Sequence, residues 1–161
     1  MSRRMARPAI TRNPAAARSP SGAFASLTNE VSPARGNAGV LMAPPGSHLI
    51  AAHGHLWLKN TPERNSCRPS IDVLFESLAR NNGPETVACL LTGMGKDGAA
   101  GLLALRRSGA LTLAQDEASS VIFGMPREAI EMGAADRVLP LELFSSALLD
   151  AVCETELRGA R

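Results

Sequence analysis

The sequence predicts an α/β fold: a doubly wound, mostly parallel sheet with helices on both faces, in three α/β/α layers. Three observations predict it. From Ser70 onward, segments of helical and strand periodicity alternate at the lengths of βα units. Val87 to Leu91 (VACLL) is an apolar run short enough for a strand buried on both faces. It breaks into Gly93, Gly95 and Gly98, which permit turns that other residues resist, before a helical pattern begins. Parallel strands joined in this way take right-handed crossovers.

Residues 1–38 show no sustained periodicity and are expected to form a disordered extension rich in Arg, Ala, Ser and Pro. The folded body is expected over 39–155, with a tail at 156–161. Gly39 to Ala43 reads as a strand stopped by Pro44 and Pro45. His48 to Lys59 alternates around Gly54 and reads as a β-hairpin. Ser70 can N-cap a helix to about Asn81, with Asp72 favoured in its first turn by the dipole. Ile71, Leu74, Phe75 and Leu78 form its apolar stripe, and Asn82 and Gly83 end it.

After the central strand, a helix is expected from about Asp97 to Ser108, stopped by Gly109. Ala110 to Ala114 makes the next strand, and Gln115 to Gly124 a polar loop with an apolar interruption. Met125 to Met132 reads as a helix with Pro126 in its first turn, where a missing N–H costs little. Arg137 to Leu141 is a short strand, and Glu142 to Val152 a closing amphipathic helix.

With 161 residues, 45% of them hydrophobic and 20% charged, the chain suits one domain with a real core. Its charge is uneven. Residues 1–38 hold six arginines and one glutamate (+5), and the rest hold eleven basic and fourteen acidic residues (−3). The basic character thus belongs to the extension. Clustered arginine suits phosphates, but Phe24 is the only aromatic residue there, so no nucleic-acid partner is expected. No apolar run approaches the ~20 residues of a membrane helix, and a secretory apolar segment is missing; a cytoplasmic location without membrane insertion is expected.

Cys67, Cys89 and Cys153 form no CxxC pair and read as reduced thiols. His48, His53 and His55 lie in one short segment away from them, so no metal site is expected. Open α/β sheets bind ligands outside the carboxyl ends of their strands, which makes Asp97 a candidate functional residue. An anion site at Lys96 and the helix start is disfavoured, because GMGKDG lacks phosphate-loop spacing and Asp97 would repel the ligand.

The motifs TGMGKDGAAG, AQDEASSVIFGMP and MPREAIEMGAAD, in this order, resemble the C-terminal half of the catalytic domain of CheB-type protein-glutamate methylesterases of bacterial chemotaxis. The resemblance reaches back through CRPSIDVLFESLA to GVLMAPPGSHL. It implies a carboxyl-ester hydrolase acting on glutamate methyl esters, and on glutamine amides, of methyl-accepting chemotaxis receptors, with no cofactor. The implied chemistry uses a serine nucleophile, a histidine base and an aspartate that accepts the histidine Nδ1 proton and holds its tautomer. Asp97 aligns with that aspartate, and Thr92, Gly93, Met94 and Gly95 with the active-site loop, Met94 near the oxyanion region. His48 matches a histidine of the APxxxH segment, as a structural or site-proximal residue.

The chain departs from this pattern upstream. The serine and histidine motifs should precede Gly39, yet residues 1–38 hold neither motif and no histidine. A receiver domain of about 120 residues is likewise missing. Ser119 and Ser120 read as loop or cap hydroxyls, and Ser47 is suggestive only by its adjacency to His48, so no nucleophile is found. Two readings stay open: a methylesterase completed by an upstream piece, and a non-catalytic interaction or decoy protein. An incomplete sheet would expose the edge of Val87 to Leu91, with self-association as the expected consequence.

Overall fold

A computed structural model of the chain describes residues 24–25, 30–33, 40–53 and 55–159, with side chains over 41–53 and 55–153. Strands β1 (Phe24–Ala25), β2 (Glu30–Pro33), β3 (Val40–Leu41), β4 (His48–Ala52) and β5 (His55–Lys59) precede helix α1 (Ile71–Asn82). Then β6 (Val87–Leu90), α2 (Ala99–Arg107), β7 (Leu111–Gln115), α3 (Met125–Glu131), β8 (Arg137–Leu139) and α4 (Phe144–Gly159) alternate.

Strands β6, β7 and β8 form a parallel sheet in that order, with Cys89 opposite Leu113 and Ala114 opposite Val138. Alternate residues of β6 serve two cores. Ala88 and Leu90 pack with Leu102, Leu105 and Ala129 on the side of α1, α2 and α3. Val87 and Cys89 pack with Leu111, Leu113, Phe144 and Ala147 on the side of α4. This is the three-layer α/β/α arrangement, and it explains why β6 lacks a polar face. Among the described residues β6 pairs with β7 alone, so it lies at a sheet edge.

The hairpin predicted from His48 to Lys59 is present, with β4 antiparallel to β5 and His53 turning at a φ of 52°. Ala51 N donates to Ser77 Oγ (2.8 Å) and Asn81 Nδ2 donates to the Ala51 carbonyl (3.0 Å), which fastens the hairpin to α1. Leu74 joins both cores and seals that contact. Two short strands fall within the stretch expected to lack regular structure: β1 runs parallel to β3, and β2 is antiparallel to β5. They pair with distant segments, so local periodicity carries no sign of them. The remaining readings for residues 1–38 lie outside the described residues.

Several element ends differ from the sequence reading. Helix α2 begins at Ala99 and not at Asp97, because Gly98 takes the left-handed φ of 92° and keeps both residues out of the helix. Gly83 does end α1, as expected, in a right-handed conformation (φ −45°). Its missing Cβ matters as well, because one would stand 2.6 Å from Ser108 Cβ. Strand β8 stops at Leu139, before Pro140. Helix α4 runs on to Gly159, through residues expected to be a tail.

Asp136 ties α2 to the sheet. It accepts from Arg106 Nε (2.8 Å), Thr112 N (3.0 Å) and Thr112 Oγ1 (3.0 Å). Burial alone would raise its pKa, but the hydrogen bonds from Arg106 and Thr112 outweigh it and hold the carboxyl below the ordinary range. A carboxyl held low in the folded chain stabilises fully above the ordinary value of about 3.9, and the contribution disappears as pH falls through the folded value. The urea midpoint should therefore exceed that of Asp136→Asn at pH 7, and the gap should close below about pH 4. A gap that widens on acidification would contradict the assignment.

No helix among the described residues is long and apolar enough to cross a membrane.

Candidate functional site

The turn from Thr92 to Gly95 leaves the carboxyl end of β6 and is fastened to the loop after β7. Thr92 N donates to Oε1 of the fully buried Gln115 (2.8 Å), whose Nε2 donates to the Ser119 carbonyl (2.8 Å). Thr92 Oγ1 donates to the Ile122 carbonyl (3.1 Å) and accepts from Ile122 N (2.8 Å). The Gly93 carbonyl accepts from Met125 N (2.8 Å) and Gly124 N (3.2 Å). This approach needs Gly124, since a Cβ there would lie 2.6 Å from the Gly93 oxygen. Gly95 turns at a φ of 93°. Met94 is 83% exposed, so it is displayed and not packed in a core.

Asp97 follows this turn and is 5% exposed. Its Oδ1 accepts from Ser70 Oγ (2.7 Å), Asp72 N (3.3 Å) and Asn65 Nδ2 (3.4 Å), and its Oδ2 from Ile71 N (2.7 Å). The carboxylate thus sits on the amino end of α1, where unpaired N–H groups and the helix dipole favour negative charge. The reverse contact is made as well. Asp72, in the first turn of α1, accepts from Gly101 N in the first turn of α2 through Oδ1 (2.7 Å). Each helix is capped by a carboxylate from the other's start. Asn65 Nδ2 also donates to Asp72 Oδ2 (2.8 Å), so one amide touches both acids.

His48 is fully buried one step further back. Its Nε2 lies 3.0 Å from the Pro62 carbonyl, and its Nδ1 accepts from Ser70 N (3.2 Å). A carbonyl only accepts and a backbone N–H only donates, so the ring is a neutral imidazole protonated on Nε2. Both nitrogens are engaged, and neither reaches Asp97. His53 and His55 stand at the other end of the hairpin, roughly 15 Å along the strand from His48 at about 3.3 Å per residue.

Ser119 and Ser120 are tied into the loop after β7. Ser119 Oγ donates to Asp116 Oδ1 (2.6 Å) and accepts from Leu141 N (3.0 Å), and Ser120 Oγ donates to the Asp116 carbonyl (2.6 Å). Cys67 Sγ donates to the Asn65 carbonyl (3.4 Å). Burial first, then the charges of Asp97, Glu63 and Asp72, push its thiol up, which makes it a poor nucleophile. No group of three or more His, Cys, Asp or Glu among the described residues could hold a metal ion.

Sequence reasoning singled out Asp97, the Thr92 to Gly95 turn and His48, and the structure gathers Asp97 and His48 around Ser70. It missed Asn65 and Gln115, and it gave Asp72 only a role within its own helix. The contacts that place them at the site, Asn65 with Asp72 and Asp97, Gln115 with Thr92 and Asp72 with Gly101, span 7 to 32 residues of chain, beyond any local pattern.

Comparison with known proteins gives this geometry a lineage. The CheB methylesterase family profile matches residues 28–148. A protein named protein-glutamate methylesterase/protein-glutamine glutaminase 2 from Burkholderia thailandensis is 55% identical over 115 residues, which cover 69% of this chain and 32% of that protein. A namesake from Pseudomonas aeruginosa is 53% identical over 116 residues, covering 69% and 33%. A Bordetella parapertussis relative reaches 62% over 115 residues, covering 68% and 33%. The chain spans about a third of the length of these curated relatives. The crystal structure of the Thermotoga maritima CheB methylesterase catalytic domain aligns with a TM-score of 0.64 at 35% identity, covering 68% of this chain and 60% of that one. This chain belongs to the CheB methylesterase family.

Proposed function

We propose that the chain supplies the acid-bearing part of a protein-glutamate methylesterase site, with Asp97 orienting a histidine base, and that it does not hydrolyse the ester by itself. The observation that carries this reading is the asymmetry of the Asp97 carboxylate. Oδ1 accepts from three donors, whereas Oδ2 accepts from Ile71 N alone among the described residues. Each carboxylate oxygen offers two lone pairs, so Oδ2 keeps capacity for an imidazole Nδ1–H. An acid held this way would fix the base's tautomer and stabilise the imidazolium that forms.

The base would take the proton of a serine hydroxyl as the serine oxygen attacks the glutamate methyl-ester carbonyl. It would return that proton to the departing methanol, and water would then release the glutamate carboxylate. The histidines of this chain are His48, His53 and His55, and none is placed to act on Asp97. The serine and base therefore come from sequence joined or docked upstream of the matched region, where the edge of β6, unpaired among the described residues, can take further strands. The substrate is a methylated glutamate side chain of a protein, with the glutamine amide as a second carboxyl derivative, on the names of the relatives, and the family resemblance makes that protein a methyl-accepting chemotaxis receptor.

Methanol release from a methylated receptor tests this. The purified chain should match the uncatalysed blank. The chain joined at residue 28 to the preceding part of the Burkholderia thailandensis relative should hydrolyse the ester. Asp97→Asn in the joined protein should lower kcat about 10⁴-fold, the loss seen when a triad aspartate can no longer hold the correct tautomer. Release by the chain alone would overturn the second half of the proposal, and an unaffected Asp97→Asn the first. An inert joined protein would leave the non-catalytic interaction reading.

A further inference from the structure

We propose that Asn65 and Ser70 are positioning residues of the esterase reaction, clamping Asp97 Oδ1 so that Oδ2 presents its free lone pair to the base. This rests on Asp97 being the acid that orients the histidine. Asp72 and Asp97 are 1% and 5% exposed, and both are met by neutral donors. Two buried like charges tolerate each other only where several donors hold them. The helix starts provide some: α1 gives Ile71 N and Asp72 N to Asp97, and α2 gives Gly101 N to Asp72.

Asn65 gives the donor that the two acids share. A primary amide carries two N–H groups in one plane, which suits two acceptors on either side of it. Asn65 and Ser66 both take positive φ (53° and 60°), a conformation asparagine tolerates better than most residues, and the turn they make carries this amide to the acids. Ser70 adds the short bond on Oδ1, and its position is set in turn. Its hydroxyl accepts from Val73 N (3.4 Å), and its N–H is held by His48, which is anchored to the Pro62 carbonyl. A continuous chain of hydrogen bonds therefore runs from Pro62 to Asp97. Its effect is to stop the carboxylate rotating, and a misplacement of about 1 Å at such a group can cost on the order of 10²-fold in rate.

Amide hydrogen exchange in the 161-residue chain tests the clamp without any activity. Asn65→Ala should speed exchange at the Ile71 and Gly101 amides together, roughly tenfold, the factor for one charge-assisted hydrogen bond. Arg127→Ala, on an exposed pair of α3, should leave both unchanged. Ser70→Ala should lose the Ile71 protection and Ser70→Thr, which keeps the hydroxyl, should retain it. In the joined protein, Asn65→Ala and Ser70→Ala should lower kcat about 10²-fold with KM unchanged, and Ser70→Thr should restore it. Unaltered exchange in Asn65→Ala, or a rise in KM alone, overturns the proposal. Inactivity of the unsubstituted joined protein overturns the catalytic reading of Asp97 instead, so the two failures are distinct.

Discussion

Asp97→Ala is expected to lower the folding stability of the chain by about 3 kcal/mol, independently of any activity. The carboxylate accepts from two backbone N–H groups of α1, the Ser70 hydroxyl and the Asn65 amide, in a site 5% exposed to solvent. A hydrogen bond to a charged group contributes roughly 1.5–3 kcal/mol, but these four share one acceptor and the helix start can partly rehydrate, so the sum is well below the total of its parts. Asp97→Asn should fall about 1–2 kcal/mol, because the amide keeps one acceptor oxygen while its NH₂ faces Ile71 N. Urea unfolding with an unchanged m-value would measure both. Equal midpoints for the parent chain and Asp97→Ala would mean that the cap adds nothing and that α1 is held by packing alone. The ordering also decides how kinetics are read: rate lost in Asp97→Ala mixes unfolding with chemistry, whereas Asp97→Asn keeps the fold nearer intact.

What was legible in the sequence was local. Ser70 announces α1 because an N-cap hydroxyl and the stripe of Ile71, Leu74, Phe75 and Leu78 are set within one helix, and the structure has that cap and that stripe. The run Val87 to Leu90 shows as a strand because both of its faces are buried. Asp97 drew notice through its place beyond the carboxyl end of a strand and through the resemblance of its motif, while its partners could not be read. Asn65 meets Asp97 across 32 residues, and Asp72 meets Gly101 across 29, contacts that exist only once α1 and α2 have docked. Gly83 shows the same limit from the other side. Its place marks the end of α1, as the sequence indicates, but its further use is to admit Ser108, which no local pattern encodes. Strands β1 and β2 were missed because their pairing partners, β3 and β5, confer regularity on segments that have none of their own.

Gly101→Ala should destabilise the chain by about 2–3 kcal/mol, against the direction that helix propensity sets. In an unconstrained helix interior, alanine is better than glycine by about 1 kcal/mol. At Gly101, however, a Cβ would stand 2.6 Å from Phe75 Cβ, 3.0 Å from Asp72 Cα and 3.1 Å from the Asp72 carbonyl oxygen, where carbon contacts prefer about 3.5–4.0 Å. Phe75 belongs to the core, and Asp72 cannot retreat freely, because its carboxylate holds Gly101 N at 2.7 Å and its own N–H points to Asp97. Relief requires α1 and α2 to separate, which loosens both caps and the amide between them. The neighbouring Ala100→Gly provides the control: it should cost about 1 kcal/mol by propensity alone, with no steric term. Opposite preferences at adjacent positions of one helix, seen in denaturant midpoints, would place the constraint in the contact between α1 and α2. A Gly101→Ala chain about 1 kcal/mol more stable than its parent would show the helices free to part. Reciprocal capping would then follow from their spacing and not determine it.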